Sequence, residues 1–316
     1  MSRHADNDAH LLDLATMPRE RMEMLLERAD HFARGGTVPP ALEGVAVCTL
    51  FFEPSTRTRL SFQLAAQRLG AHVLGFDVST SSASKGETDV DTLRTLEAMG
   101  VRGFVVRHGG DGAVRALAAH ARPGTVLVNA GDGRNAHPTQ GLLDMLTLRQ
   151  VRGPDLSGLK VLVVGDVRHS RVARSDLQGL RTLGVRDIRV SAPANLLPQA
   201  DELDGCTVVP ELDRALDGVD VVMLLRLQRE RMVDGLVASL EDYHRDYGLD
   251  ARRLRLAAPG AVVMHPGPVN RGVEVTDEVV DGPQSLVLRQ VANGVAVRAA
   301  VLEALLGQPP APHWVT

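Results

Sequence analysis

The order of elements in this sequence predicts an α/β protein: two doubly wound parallel-sheet domains joined by helices, with the active site in the cleft between them. Three observations carry that reading. Short runs rich in Val, Leu and Phe alternate with helical patterns, the alternation occurs in both halves of the chain, and one stretch, "RQVRGPDLSG" (residues 149–158), interrupts it. A length of 316 residues with 44% hydrophobic content fits about two domains with sizeable cores.

The first element is a helix. "MPRERMEMLLERADHFARGG" has apolar residues at helical spacing and ends in a glycine pair, which predicts a helix from about Pro18 to Ala33. Four strand-like runs follow, "VAVCTLFF", "HVLGFD", "GFVVRH" and "TVLVNAG", separated by helical patterns such as "RTRLSFQLAAQRLG" and "TDVDTLRTLEAMG". Near-continuous apolar strands of this kind belong to a parallel sheet covered on both faces. After the helix "PTQGLLDMLTLRQ" comes the interruption, where a second domain starts. "KVLVVGD", "DIRVSAP", "VDVVMLLR" and "AVVMHPG" then repeat the pattern. The last helix, "QVANGVAVRAAVLEALLG", is apolar enough to dock on a larger body. The division expected is therefore residues 1–150 for the first domain, with a C-terminal helix at 289–316 docking back on it, and 151–288 for the second.

Composition narrows the function. A formal charge of −4 gives no basic field for nucleic acid, so any anion site must be local. Only Cys48 and Cys206 are present, each in or beside an apolar run, which argues against a disulfide framework or a thiolate metal site and fits a reducing cytoplasm. "MSRHADNDAHLLDLATM" lacks the apolar core of a signal peptide, and no stretch approaches the ~18 apolar residues a membrane span needs. A cytoplasmic protein without membrane or nucleic-acid partners is the expectation.

Polarity is concentrated in a few places. "FFEPSTRTRLSF" (51–62) follows a strand and opens a helix, so Ser55, Thr56, Arg57 and Thr58 surround a helix N-terminus, where unpaired N–H groups and the helix dipole favour an anion. Three hydroxyls and a guanidinium fork suit a phosphate better than a simple helix cap. The glycines and lysine of a Walker loop are missing. In "NAGDGRNAHPTQ", Pro138 suits the first helical position, which makes His137 the cap and puts Gln140 in the same turn. An imidazole that donates to oxygen and an amide that accepts from NH₂ together suit a carbonyl carrying an amine.

Other candidates stand at strand ends and in loops. Arg107 closes "GFVVRH", where ligands of open α/β sheets bind. "STSSASKGETD" (79–89) carries Lys85, one of only two lysines, in a loop that composition alone reads as a solvated surface segment. "VVGDVRHSRVARS" has one glycine where a dinucleotide fingerprint needs three, so NAD binding is a weak reading. Arg171, and Arg226 with Gln228 in "LLRLQRER", instead offer forks for carboxylates.

Together, "FFEPSTRTRLSF", "SKGE", "RH", "NAGDGRNAHPTQ", "GDVRHSR", "LRLQRER" and "HPGPVNRG" resemble the catalytic chains of the aspartate transcarbamoylase family, in that family's order over nearly the whole chain. The resemblance implies transfer of a carbamoyl group from carbamoyl phosphate to the α-amino group of L-aspartate in pyrimidine synthesis, with no cofactor and no catalytic metal. It implies that Ser55, Thr56, Arg57 and Thr58 bind the phosphate, that Arg107 and His137 with Thr58 polarise the carbonyl, and that Gln140 and the backbone around Pro266, Gly267 and Pro268 hold the NH₂. Lys85, Arg171, Arg226 and Gln228 would bind aspartate. Ser81, with Ser82 the alternative, and Lys85 would reach the active site of a neighbouring subunit in a homotrimer, which reverses the surface-loop reading. "HPGPVNRGVE" is more similar to members that associate with dihydroorotase-type chains than to those with separate regulatory subunits.

Two rivals remain open at this stage. An ornithine-using carbamoyltransferase carries a similar phosphate motif but would want carboxylates at the acceptor amine. A non-catalytic relative should have lost some of Arg57, Arg107 and His137, and all three are present.

Overall fold

A computed structural model describes residues 9–77, 86–227 and 239–307. The chain divides into two compact units, Met1–Leu146 with Val291–Thr316, and Thr147–Gln290. Each contains one parallel sheet with helices between its strands.

In the first unit, α1 (Arg19–Ala33) buries Met22, Leu25, Leu26, Ala29 and Phe32 along one stripe, the spacing its sequence predicts. Next come β1 (Ala46–Phe51), α2 (Thr56–Arg68), β2 (His72–Asp77), α3 (Asp89–Ala98), β3 (Val101–His108), α4 (Ala113–Ala118), β4 (Val126–Asp132) and the start of α5 (Pro138–Arg152). The strand order is β2-β1-β3-β4. All three pairings are parallel. β4 is buried at every position and β1 at all but its first, as expected for strands covered on both faces. Leu50, Leu93, Phe104, Val106, Leu117 and Leu127 belong to one core cluster. Cys48 lies inside it, and burial pushes its thiol up to about 12, so it is an inert apolar filler.

The second unit runs through β5 (Lys160–Val164), α6 (Arg171–Thr182), β6 (Asp187–Ser191), β7 (Thr207–Val208), α7 (Leu212–Ala215), β8 (Val221–Leu224), α8 (Leu240–Tyr247), α9 (Ala251–Leu254), β9 (Val262–Met264), α10 (Asp277–Val280) and the start of α11 (Val287–Leu306). Its order is β7-β6-β5-β8-β9, again all parallel. The remainder of α11 belongs to the first unit, where Arg28 of α1 holds Glu303 through two 2.6 Å bonds and lies over the Phe32 ring.

Two sequence expectations need correction. Helix α5 continues through Arg149–Arg152, so the break begins at Gly153 and not at Arg149. Nothing before Gly153 stops a helix; that glycine takes φ 93° and the proline after it prevents continuation. The short edge strand β7 gave no sequence signal because two residues carry no periodicity. Among the described residues no helix is long and apolar enough to cross a membrane.

Phe104 is 1% exposed at the centre of β3, whereas Met99 is 72% exposed. Phe104→Ala is expected to cost the first unit about 3–5 kcal/mol. Met99→Ala should stay within ~0.5 kcal/mol. Denaturant midpoints of the two variants check the difference.

Candidate active site

The two sheets share a topological feature. In the first, the chain passes from β1 outward to β2 and then returns to the other side of β1 as β3, so the order reverses between β1 and β3. In the second, the reversal lies between β5 and β8. Loops leaving the carboxyl ends of the two strands at a reversal diverge and leave a crevice for a ligand. The segments singled out in the sequence follow those strands: "EPSTRTR" after β1, Arg107 near the end of β3, "GDVRHSR" after β5 and Arg226 just beyond β8.

Strand pairing fixes the first crevice. Phe51 and Arg107 are register partners, and the Phe52 N–H donates to the Arg107 carbonyl at 2.8 Å, so the arginine lies beside the chain that enters α2. Arg107 Nη1 donates to the Ala130 carbonyl of β4 at 3.1 Å, and its Nε is 3.5 Å from Glu53 Oε2. A guanidinium tied down on two sides has little rotamer freedom left to lose when it meets an anion.

The N-terminus of α2, like that of α10, lacks the side-chain cap bond seen at α3, α6, α8 and α9. Thr88, Ser170, Ser239 and Asp250 each turn a side-chain oxygen back to a first-turn N–H of α3, α6, α8 and α9. Ser55 caps α2 with φ −162° and makes no side-chain cap bond, and the first turn holds no acidic residue. Thr56 and Arg57 are exposed, Ser55 is half-buried and Thr58 is buried. The first-turn N–H groups of α2 therefore receive no side-chain oxygen from its cap, and no acidic residue offsets the helix dipole there.

The loop that delivers His137 is built on a buried carboxylate. Asp132, 0% exposed, accepts from Asn129 Nδ2 at 3.0 Å and from the Ala136 N–H at 3.1 Å, with Asn135 Nδ2 nearby at 3.3 Å. Gly133 takes φ 45°, and a Cβ there would strike Asp111, including its backbone nitrogen at 2.6 Å. His137 is 4% exposed directly before Pro138, and its carbonyl accepts the N–H of Gln140 at 2.9 Å. Gln140 Nε2 donates to both carboxylate oxygens of Asp144, each at 3.2 Å.

A second buried charge lies behind α2. Arg298 of α11, 4% exposed, donates from Nη1 to Ser61 Oγ at 2.5 Å and stacks on Phe62 at 4.9 Å. Burial pushes its pKa down to about 10; Asp144 favours its charge and Arg57 opposes it.

In the second unit, Arg171 is 6% exposed at the first position of α6, behind a Ser170 cap to the Ala173 N–H at 3.1 Å. Arg226 is half-buried. The strand end that carries it is fastened by Glu274, 1% exposed, which accepts from the Leu227 N–H at 2.7 Å, Asn270 Nδ2 at 2.6 Å and the Asn270 N–H at 2.8 Å. Burial pushes the Glu274 pKa up, against the pull of those donors. The same carboxylate faces His265 Nε2 at 3.9 Å, while His265 Nδ1 accepts from the Gly267 N–H at 2.8 Å. Nδ1 as acceptor leaves the ring proton on Nε2, toward Glu274. One carboxylate thus binds the "HPGPVN" loop, with Pro266, Gly267 at φ 64° and Pro268, to the Arg226 strand end.

Ser81, Lys85 and Gln228 lie outside the described residues. Asp144, Arg298 and Glu274 were missed in the sequence. Asp144 stands four residues after Gln140 on one helix face, Glu274 four after Asn270, and Arg298 is a lone cation inside "VAVRAAV"; those spacings were the available signals. Among the described residues no group of three or more His, Cys, Asp or Glu side chains could hold a metal ion.

Comparison with known proteins adds the family context. The carbamoyl-phosphate-binding domain model of the aspartate/ornithine carbamoyltransferases matches residues 9–150, and the Asp/Orn-binding domain model matches 157–305. The chain is 67% identical over 303 residues to the aspartate carbamoyltransferase catalytic subunit of Stenotrophomonas maltophilia R551-3, covering 94% of this chain and 96% of that one. It is 67% identical over 302 residues to that of Xanthomonas campestris pv. campestris B100, with the same coverage. Aspartate transcarbamoylase of Trypanosoma cruzi, solved with carbamoyl phosphate and aspartate, superposes with a TM-score of 0.84 at 32% identity over 95% of this chain and 97% of that one. Ornithine carbamoyltransferase of Thermus thermophilus gives the same TM-score, 0.84, at 29% identity over 94% and 99%. The fold alone does not separate the two acceptors; the sequence identities do.

Glu274→Gln should lower the stability of the second unit by about 1–3 kcal/mol, because an amide NH₂ would then face N–H donors of Leu227 or Asn270. Denaturation monitored on that unit checks it, and an unchanged midpoint would remove the clamp.

Proposed function

This chain belongs to the aspartate/ornithine carbamoyltransferase family, and we infer that the side chains at its two strand crossovers divide one reaction between them. The chain transfers the carbamoyl group of carbamoyl phosphate to the α-amino group of L-aspartate, giving N-carbamoyl-L-aspartate and phosphate. The observation that carries the division of roles is the N-terminus of α2, uncapped by Ser55 and set beside Arg107 by strand register.

In this reading Ser55, Thr56, Arg57 and Thr58 hold the phosphate, and Thr58, Arg107 and His137 donate to the carbonyl oxygen. Gln140 and the backbone of Pro266, Gly267 and Pro268 hold the carbamoyl NH₂. Arg171, Arg226 and Gln228 take the two carboxylates of aspartate. The uncharged amine attacks the carbonyl carbon, a C–N bond forms, the C–O bond to phosphate breaks, and the amine proton leaves with the phosphate. Negative charge grows on the carbonyl oxygen along the way. Fixed donors aimed at that oxygen stabilise the transition state more than the ground state, by several kcal/mol, with no covalent nucleophile. Arginine forks favour a dicarboxylate acceptor over an ornithine side chain, which agrees with the higher identity to the aspartate enzymes.

Assembly and setting complete the proposal. Ser81 (or Ser82) and Lys85 act in a neighbouring subunit's site, which makes the working unit a homotrimer, since a segment given from each subunit to the next is a heterologous contact that closes into a ring. "HPGPVNRGVE" suits further association with a dihydroorotase-type or regulatory chain. Two free cysteines fit the reducing cytoplasm, where this product would feed pyrimidine synthesis.

The direct test is formation of carbamoylaspartate by purified protein, with L-ornithine as the competing acceptor; preference for ornithine would overturn the assignment. Arg57→Ala is expected to reduce turnover by about two orders of magnitude or more with the fold intact. His137→Ala should reduce kcat more than carbamoyl phosphate affinity, because its hydrogen bond strengthens as oxygen gains charge. For the shared site, Lys85→Ala and Arg107→Ala subunits are each expected to be inactive, yet to regain activity when dissociated and reassembled together. Mixed rings as inactive as either parent would refute it.

A further inference from the structure

Gln140 can recognise an amine only if its carboxamide is turned the right way, and something must set that turn. A carboxamide presents an acceptor on one side and two donors on the other. Both oxygens of Asp144 lie 3.2 Å from Gln140 Nε2, in a position 1% exposed, where no water competes. An ionised carboxylate only accepts, so it takes the NH₂ side and leaves Oε1 directed away from it.

That logic requires Asp144 to stay ionised while buried, and the surroundings supply the counter-charge. Arg298 is a cation that interacts with Asp144, and at a pKa of about 10 it remains charged at neutral pH. Its guanidinium is held by Ser61 and Phe62. Space for it depends on Gly294, where a Cβ would come within 2.7 Å of Arg298 Nη1 and 3.4 Å of Leu143 Cδ2. A protonated Asp144 could instead donate to Oε1 and reverse the amide; a neighbouring cation disfavours that state.

We infer that Asp144, backed by the buried Arg298, is a positioning residue that fixes the orientation of the Gln140 carboxamide and thereby makes the site select acyl phosphates bearing an amine on the carbonyl carbon. The inference rests on the reading of Gln140 as the partner of the carbamoyl NH₂. Acetyl phosphate is the matching probe, since it places a methyl group where carbamoyl phosphate has NH₂ and keeps the carbonyl and phosphate unchanged.

The experiment compares kcat/KM for carbamoyl phosphate and acetyl phosphate, with aspartate as acceptor, in the wild type, Asp144→Leu and Gln140→Ala. Asp144→Leu removes every acceptor from the amide, so the carbamoyl-to-acetyl ratio should fall by about 10-fold or more, the scale of one mispaired buried polar contact. In the Gln140→Ala background the same substitution should leave the ratio unchanged, because Asp144 acts through Gln140. A merely structural role would lower both substrates by a common factor, and that result overturns the inference. So does a further fall of the ratio when Gln140 is already absent. Should Asp144→Leu alone strand the Arg298 charge and fail to fold, Asp144→Leu with Arg298→Met removes both charges and is read by the same ratio. A wild type that forms no carbamoylaspartate overturns both this inference and the reaction; an active wild type whose ratio survives Asp144→Leu overturns this inference alone.

Discussion

The parallel pairing of β1 with β3 is the constraint on which the first unit's chemistry depends. Phe51 opposite Arg107, and the 2.8 Å bond from the Phe52 N–H to the Arg107 carbonyl, set where "EPSTRTR" leaves the sheet. A slip of one residue in that register would turn Arg107 to the other face of the sheet, away from the α2 N-terminus, while leaving the strands apolar and paired. The continuous burial of β1 and β4 opposes such a slip only weakly, because strands covered on both faces lack the strict alternation that penalises it. Polar contacts add to the pairing: the 3.5 Å approach of Arg107 Nε to Glu53 Oε2 ties β3 to the segment that leaves β1, and Arg107 to the Ala130 carbonyl ties β3 to β4.

Most of the fold was legible because the strands are contiguous Val, Leu and Phe runs and the helices have clear 3.6-residue periods. "HVLGFD" became β2 residue for residue, and α1 began one residue after Pro18. Failures came where local signals vanish. β7 is two residues long, and α5 ran past Arg149 because the stop signal is Gly153 and not the polar residues before it. The candidate site drew attention for a different reason: clustered or end-of-strand polarity is costly to explain by packing, so Arg57, Arg107 and His137 stood out as candidates.

What stayed hidden were charges inside apolar sequence. Asp144 sits in "GLLDMLTL" and Arg298 in "VAVRAAV", where a single charged residue at helical spacing reads as a solvated face. Both are buried, at 1% and 4% exposed. Sequence periodicity reports which side of a helix faces solvent only when the helix has one solvent side, and α5 is buried at nearly every position from Thr139 to Leu148. Glu274 was obscured similarly: its neighbours Val273 and Val275 suggest a strand, while its three donors come from the Arg226 strand end and the "HPGPVN" loop, segments whose proximity only the sheet topology creates.

The chain's formal charge is −4, so positive potential is confined to local features such as the buried Arg298. Long-range attraction of an anion is not available, so selectivity must come from donors fixed before the substrate arrives. Several candidate side chains in the first unit are held by further groups: Arg107 by the Ala130 carbonyl and Glu53, His137 by the loop that Asp132 shapes, Gln140 by the buried Asp144. Arg298 behind α2 raises the potential at Arg57 while Ser61 and Phe62 hold it in place. Burying a cation there is costly in stability, since water is the better solvent for it. Asp144 offsets part of that cost, and a charge held by Ser61 and Phe62 need not reorganise when a nearby group gains negative charge, whereas a mobile surface lysine would be screened and would have to reorganise at that moment.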